Sequence, residues 1–135
     1  MTSTASPLVG KTLQASLTMK DLQKSIAFYV DVLGFKVDRN IERDGKLRGV
    51  AVSAGDVRLN LNQDDGAKGW DRIKAQGLSL QITTAQSIDD VAARIKKSGG
   101  RLEMEPKDMP WGSRIIRIKD LDGFLWTIAG PLAGK

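Results

Sequence analysis

Much of the usual equipment of catalysis is absent from this chain, whose 135 residues include no histidine and no cysteine. Imidazole is the commonest protein metal ligand and the usual general base near neutral pH, while thiolate serves the softer metals. Without them the Ser-His and Cys-His routes to an activated nucleophile are closed. Glu42, Glu103 and Glu105 are left as candidate carboxylate bases, and each also reads as an ordinary surface glutamate. The glycines fit turns and helix ends, and no phosphate-binding loop occurs. What remains is recognition chemistry: arginines, amides, hydroxyls and tryptophans. Their usefulness depends on the elements that carry them.

The first half opens with Thr12–Met19, where Leu13, Ala15, Leu17 and Met19 alternate with Gln14, Ser16 and Thr18. That period predicts a strand with one apolar face. Asp21 is placed to cap a helix carrying Leu22, Ile26, Tyr29 (or Phe28) and Leu33, which Gly34 ends. Strand-like runs follow at Phe35–Glu42, Lys46–Ala54 and Asp56–Asn62, with Asp44-Gly45 and Gly55-Asp56 as turns. The second half keeps the same order. Leu78–Thr84 alternates, Ser87 caps a helix with Ile88, Val91, Ala92 and Ile95, and Gly99-Gly100 ends it. Strands are then expected at Arg101–Glu103, Ser113–Lys119 and Phe124–Ala129, with Asp122-Gly123 as the last turn.

The correspondence is regular. Asp21 and Gly34 recur as Ser87 and Gly100 at an offset of 66 residues, the first strands match at 65 and the last at 67. Two βαβββ modules, residues 12–62 and 78–130, joined by a polar linker over 63–77, are the expected organisation. Residues 1–11 and 131–135 are expected to be tails. The fold class is α+β: the modules form a curved, mostly antiparallel sheet around a cleft, with helices outside. Each module alone offers one half-apolar sheet and a helix to cover it, so two must pack together.

Alternation then sorts the polar side chains. Gln14, Ser16 and Thr18, Arg58, Asn60 and Asn62, Ser79, Gln81 and Thr83, and Leu125 and Thr127 share the face turned away from the helices. Gly49, Ala51, Ile115 and Arg117 are assigned to the same face. A small, polar lining on a curved sheet reads as a ligand cleft. Trp111 stands in a loop entering a strand and offers a flat platform for an aromatic ligand. Trp70 lies in the linker, and Trp126 falls on the helix-facing side as core.

A net charge of +5 from 21 basic and 16 acidic residues is spread along the chain, with no long basic run. Basic residues clustered on one face with interleaved aromatics, the mark of a nucleic-acid binder, are missing. No apolar run reaches the roughly 18 residues that a membrane span requires. Met1 to Val9 lacks the basic and apolar regions of a secretory signal, and the absence of cysteine is compatible with a reducing cytoplasm.

Two stretches carry a family likeness. Residues 19–35 (MKDLQKSIAFYVDVLGF) resemble the strand end and first helix of the vicinal oxygen chelate superfamily, which contains glyoxalase I, extradiol dioxygenases and bleomycin-resistance proteins. Residues 110–114 (PWGSR) and 120–127 (DLDGFLWT) are similar to its closing strands, with Leu121 in place of a usual turn proline. The likeness covers residues 12–130 and implies paired βαβββ modules. It also implies metal ligands on four strands, which here fall at Gln14, Asn60, Ser79 and Thr127, all neutral. Asp56 and Asp122 sit in turns at the wrong ends of the strands.

The resemblance therefore implies a metal-free protein of the bleomycin-resistance type, with no cofactor and no catalytic residue. It would sequester a neutral or anionic ligand through Gln14, Arg58, Asn60, Ser79, Gln81, Trp111, Arg117 and Thr127. A homodimer in the cytoplasm, without nucleic-acid or membrane partners, completes the expectation. The alternative is an enzyme of the same superfamily with an atypical site.

Overall fold

A computed structural model describes residues 6–133, so the tail expectations at 1–5 and 134–135 lie outside the described residues. The elements run β1 (Ala15–Met19), α1 (Leu22–Ala27), a wide helical turn (Phe28–Val32), β2 (Lys36–Arg43), β3 (Lys46–Ala54) and β4 (Val57–Gln63). The second module follows as β5 (Ser79–Thr83), α2 (Ile88–Lys97), β6 (Met104–Asp108), β7 (Arg114–Lys119) and β8 (Leu125–Gly130). Two βαβββ modules are thus present. Each forms a four-stranded mixed sheet, ordered β1-β4-β3-β2 and β5-β8-β7-β6. In each, the first and last strands are parallel and the other pairs antiparallel. The two sheets are not closed on one another by a ladder.

Local chemistry accounts for the elements. The Asp21 carboxylate accepts from the Lys24 N–H at 3.2 Å and caps α1, and the Ser87 hydroxyl caps α2 through Asp90 N–H. Asp44 and Gly45 both take positive φ, 54° and 74°, the conformation that a two-residue hairpin turn between twisted strands demands. The first helix is not uniform: it widens over Phe28–Val32, where Leu33 N–H donates to Phe28 O at 3.1 Å. β1 starts at Ala15 rather than Thr12, and the sixth strand begins at Met104 rather than Arg101. β6 is an edge strand that contains Pro106, and its ladder shifts register between Met104 and Lys107, so the missing proline N–H leaves no pair broken.

Helix-facing side chains of both sheets merge into one core that includes Leu17, Met19, Leu59, Ile116, Ile118 and Ile128. At the junction of the modules, Tyr29 and Trp126 pack edge to face with ring centroids 6.1 Å apart. Trp126 Nε1 donates to the Tyr29 hydroxyl at 2.9 Å, and that hydroxyl donates to Asp120 Oδ2 at 2.6 Å. Asp120 Oδ1 also accepts the N–H groups of Asp122 and Phe124, each at 2.9 Å. Burial raises the Asp120 carboxyl above its ordinary range, with the Tyr29, Phe124 and Asp122 hydrogen bonds pulling the other way. Burial, reinforced by Asp120, raises the Tyr29 phenol as well.

The polar linker is clasped rather than free. Lys74 Nζ lies 3.4 Å from Asp64 Oδ2 and 3.1 Å from Asp122 Oδ1, with all three side chains buried. The ammonium thus ties the exit of β4 to the β7–β8 turn. The Gly66 N–H, more than any other cause, holds the Asp64 carboxyl below its ordinary value; burial opposes it, and Lys74 and Arg72 add to the lowering.

Candidate ligand-binding faces

Pairing register places the polar side chains in rows across each sheet, because residues opposite one another share a face. On the first sheet one row runs Lys36, Ser53, Arg58 and the next runs Arg39, Ala51, Asn60, Ser16. A third contains Ile41, Gly49, Asn62 and Thr18. Asn62 Nδ2 donates to Ser16 Oγ at 2.7 Å. A Cβ on Gly49 would sit 3.0 Å from Asn62 Oδ1, so the glycine makes room for that amide. On the second sheet the rows are Gln81, Thr127, Arg117, Met104 and Ser79, Leu125, Lys119.

The expected site residues therefore form two groups. Arg58 is exposed and Asn60 half-buried on β4, while Gln14 is exposed and lies just before β1, outside the ladder. Ser79, Gln81, Arg117 and Thr127 lie together on the second sheet, where Arg117 Nε donates to Thr127 Oγ1 at 3.4 Å. Trp111, 67% exposed in the β6–β7 loop, rims a shallow recess of about 440 Å³ with Gln81, Thr83, Ser113, Ala129 and Pro131. Among the described residues, neither Arg58 nor Arg117 has a carboxylate within salt-bridge distance.

Two features escaped the sequence. Lys36 and Arg39 join Arg58 on the open face because Asp38 is a bulge residue that resets the β2 register. Strict alternation cannot carry both positions to one face. A larger cleft of about 720 Å³ lies between the modules on the helix-facing side, with Phe35, Val57, Ile82, Trp126 and Ile128 in its lining. No strand period reports such a gap, because it arises from how the modules meet.

The four positions that the family likeness assigns to metal ligands, Gln14, Asn60, Ser79 and Thr127, offer amide and hydroxyl oxygens only. A divalent cation there would have no anionic or imidazole donor to offset its dehydration. Among the described residues, no three or more Asp or Glu side chains are gathered to replace them. The donor set does not fit a catalytic metal.

Comparison with known proteins agrees with this architecture. Over 119 residues the chain is 30% identical to the lactoylglutathione lyase of Salmonella typhimurium, spanning 83% of this chain and 86% of that protein. Its fold is similar to a glyoxylase/bleomycin resistance protein/dioxygenase domain from Frankia, at TM-score 0.75 and 20% identity over 93% of this chain and 100% of the other. A superfamily member from Sphaerobacter thermophilus gives TM-score 0.73 at 22% identity, over 90% of this chain and 98% of the other. The family profile itself matches residues 11–128. With paired βαβββ modules and a match over most of its length, the chain belongs to the Glyoxalase/Bleomycin resistance protein/Dioxygenase superfamily.

Proposed function

We propose that this protein is a metal-free small-molecule binder of the superfamily, holding a neutral or anionic ligand, aromatic ones included, on its open sheet faces. The observation that carries the reading is the pair of arginines, Arg58 and Arg117, set on those faces with no carboxylate partner among the described residues. A guanidinium is a strong, bidentate donor to the oxygens of a carboxylate, phosphate or sulfonate. The net charge of +5 favours encounter with anions and opposes a polycation. Sequestration needs no proton transfer, which suits a chain without histidine or cysteine.

Assembly as a homodimer in the cytoplasm belongs to the same reading. β1 and β5 are edge strands of open sheets, and Trp111, Leu121 and Ile73 are 67%, 60% and 80% exposed. A second copy laid against these edges would cover them and turn two open faces into one enclosed site. No described helix is long and apolar enough to cross a membrane.

A matched ligand pair tests the reading. 2-Naphthoate should raise the melting temperature more than 2-naphthylmethylammonium, and Arg58→Ala should remove most of that difference. Equal effects from the two, unchanged by the substitution, would place the ligand elsewhere. Light scattering at micromolar concentration should give twice the chain mass.

The enzyme reading is favoured by one observation, the 30% identity to lactoylglutathione lyase. Lactoylglutathione lyase activity in the purified protein, abolished by chelation and restored by a divalent ion, would establish it in place of sequestration.

A further inference from the structure

We propose that the N-terminal arm zips onto the free edge of β4, seats Leu13 in the inter-module cleft, and thereby carries Gln14 to Arg58 on the open face. The arm runs exposed to β1: Leu8, Val9 and Leu13 are 96%, 84% and 95% accessible. Three large apolar side chains on one short segment are poorly matched to water. Beside them the parallel β1–β4 ladder stops early. Its first pair is Ala15 with Leu59, so among the described residues Val57 and Arg58 continue β4 with no partner on that side.

Extending this register by two residues sets Gln14 opposite Arg58 and Leu13 opposite Val57. Parity then decides where each side chain goes. Leu13 falls on the side of Ala15, Leu17 and Met19, which is the helix-facing side and the side of the cleft. Val57 is part of the cleft lining, together with Ile82, Ile128 and Trp126. A leucine beside Val57 therefore meets an apolar floor. Lys11, of the same parity, falls opposite Gly55 and next to Asp56, another residue of the lining. The Arg94 guanidinium at the cleft does not oppose this, being turned to the Val32 carbonyl at 3.2 Å.

The two faces are coupled by the pleat. The same extension that buries Leu13 turns Gln14 to the open face, in the row of Arg58, Ser53 and Lys36. Arm docking thus completes one end of the proposed binding face. This consequence rests on the ligand reading above, whereas docking itself stands on the register and the cleft.

The chain contains no cysteine, so Leu13→Cys with Val57→Cys gives a molecule with two thiols only. Neighbours in a ladder lie within the Cα separation that a disulfide accepts. Mild oxidation should close an intrachain bond at single-chain mass, on the order of tenfold faster than in the Lys11→Cys, Val57→Cys control. In the unmodified protein, amide exchange at Leu13–Ala15 should be slower than at Leu8–Lys11. Equal cross-linking rates together with uniform fast exchange would overturn the proposal. An interchain disulfide at twice the mass would overturn it too, by assigning the cleft to the arm of a second copy. A failure of 2-naphthoate to bind would count against the ligand reading and leave the cross-linking result untouched.

Discussion

Tyr29 and Asp120, 91 residues apart in the chain, are joined by a buried 2.6 Å hydrogen bond in which the phenol donates to the carboxylate. One residue comes from the wide helical turn of the first module and the other from the β7–β8 turn of the second. The Tyr29 ring packs edge to face on Phe35 and on Trp126 at centroid distances of 5.6 and 6.1 Å. Tyr29→Phe keeps the ring but leaves the Trp126 N–H and one Asp120 oxygen unpaired. Removing a buried partner in this way costs about 1–3 kcal/mol. Urea unfolding should show that loss with little change in slope, because the surface exposed on unfolding is unchanged.

Lys74 performs a second junction. Its ammonium is shared by Asp64 and Asp122, and only 5% of the side chain is accessible. Lys74→Met would leave Asp64 with Arg72 at 3.6 Å and the Gly66 N–H, and Asp122 with the Lys20 N–H. Two buried carboxylates thus lose their shared ammonium, the costly half of breaking a buried pair. The melting temperature should fall by several degrees. Lys20→Met, which breaks only the exposed contact with Asp71, should leave it nearly unchanged. Comparable losses in the two variants would show that the linker clasp contributes nothing.

Two buried carboxylates pushed in opposite directions shape the dependence of stability on pH. Exposed Asp71, lowered beside Lys20, is a weaker, solvent-screened contributor. Asp64 is held below its ordinary value of 3.8, so the unfolded chain binds more protons than the folded one around that pH. Its contribution is present above 3.8 and is lost as the pH falls through the lower folded value. Asp120 is raised, so its contribution is present below 3.8 and declines as the pH rises through the higher folded value. No histidine adds a slope at intermediate pH. Chemical unfolding across this range should show an acid limb that Asp64→Asn flattens, and a decline on the other side that Asp120→Asn removes at a cost in overall stability.

The fold was legible where period and punctuation agreed. The module repeat, both helix caps and the turn at Asp44-Gly45 follow directly from residue type and spacing. The failures have physical causes. Thr12 to Gln14 alternates like a strand, yet in the structure this segment runs exposed beside the start of β4, and the ladder begins only at Ala15. β6 was misplaced because Arg101–Glu103 resembles a strand, whereas the edge position at Met104–Asp108 tolerates Pro106. On the open faces, alternation put Arg58, Asn60, Gln81, Arg117 and Thr127 on the sides turned from the helices. It could not foresee the bulge at Asp38, and therefore missed Lys36 and Arg39.

Metal addition provides the last prediction. Asn60 lies on β4, Ser79 on β5 and Thr127 on β8, with Gln14 before β1, and none carries charge. Any ion that binds the folded state alone stabilises it in proportion to the logarithm of its concentration over the dissociation constant. At a thousandfold excess over that constant the gain is about 4 kcal/mol. Millimolar nickel, zinc, iron(II) or manganese would therefore raise the melting temperature by many degrees if a micromolar site existed. The expected outcome is no shift with any of the four, and no stoichiometric metal in protein dialysed after loading. Introducing Asn60→Glu and Thr127→Glu supplies anionic donors at two of the family positions, and a shift confined to that variant would identify missing charge as the reason. A large shift in the unaltered protein would mean that neutral oxygens, or carboxylates from another element, hold the ion after all.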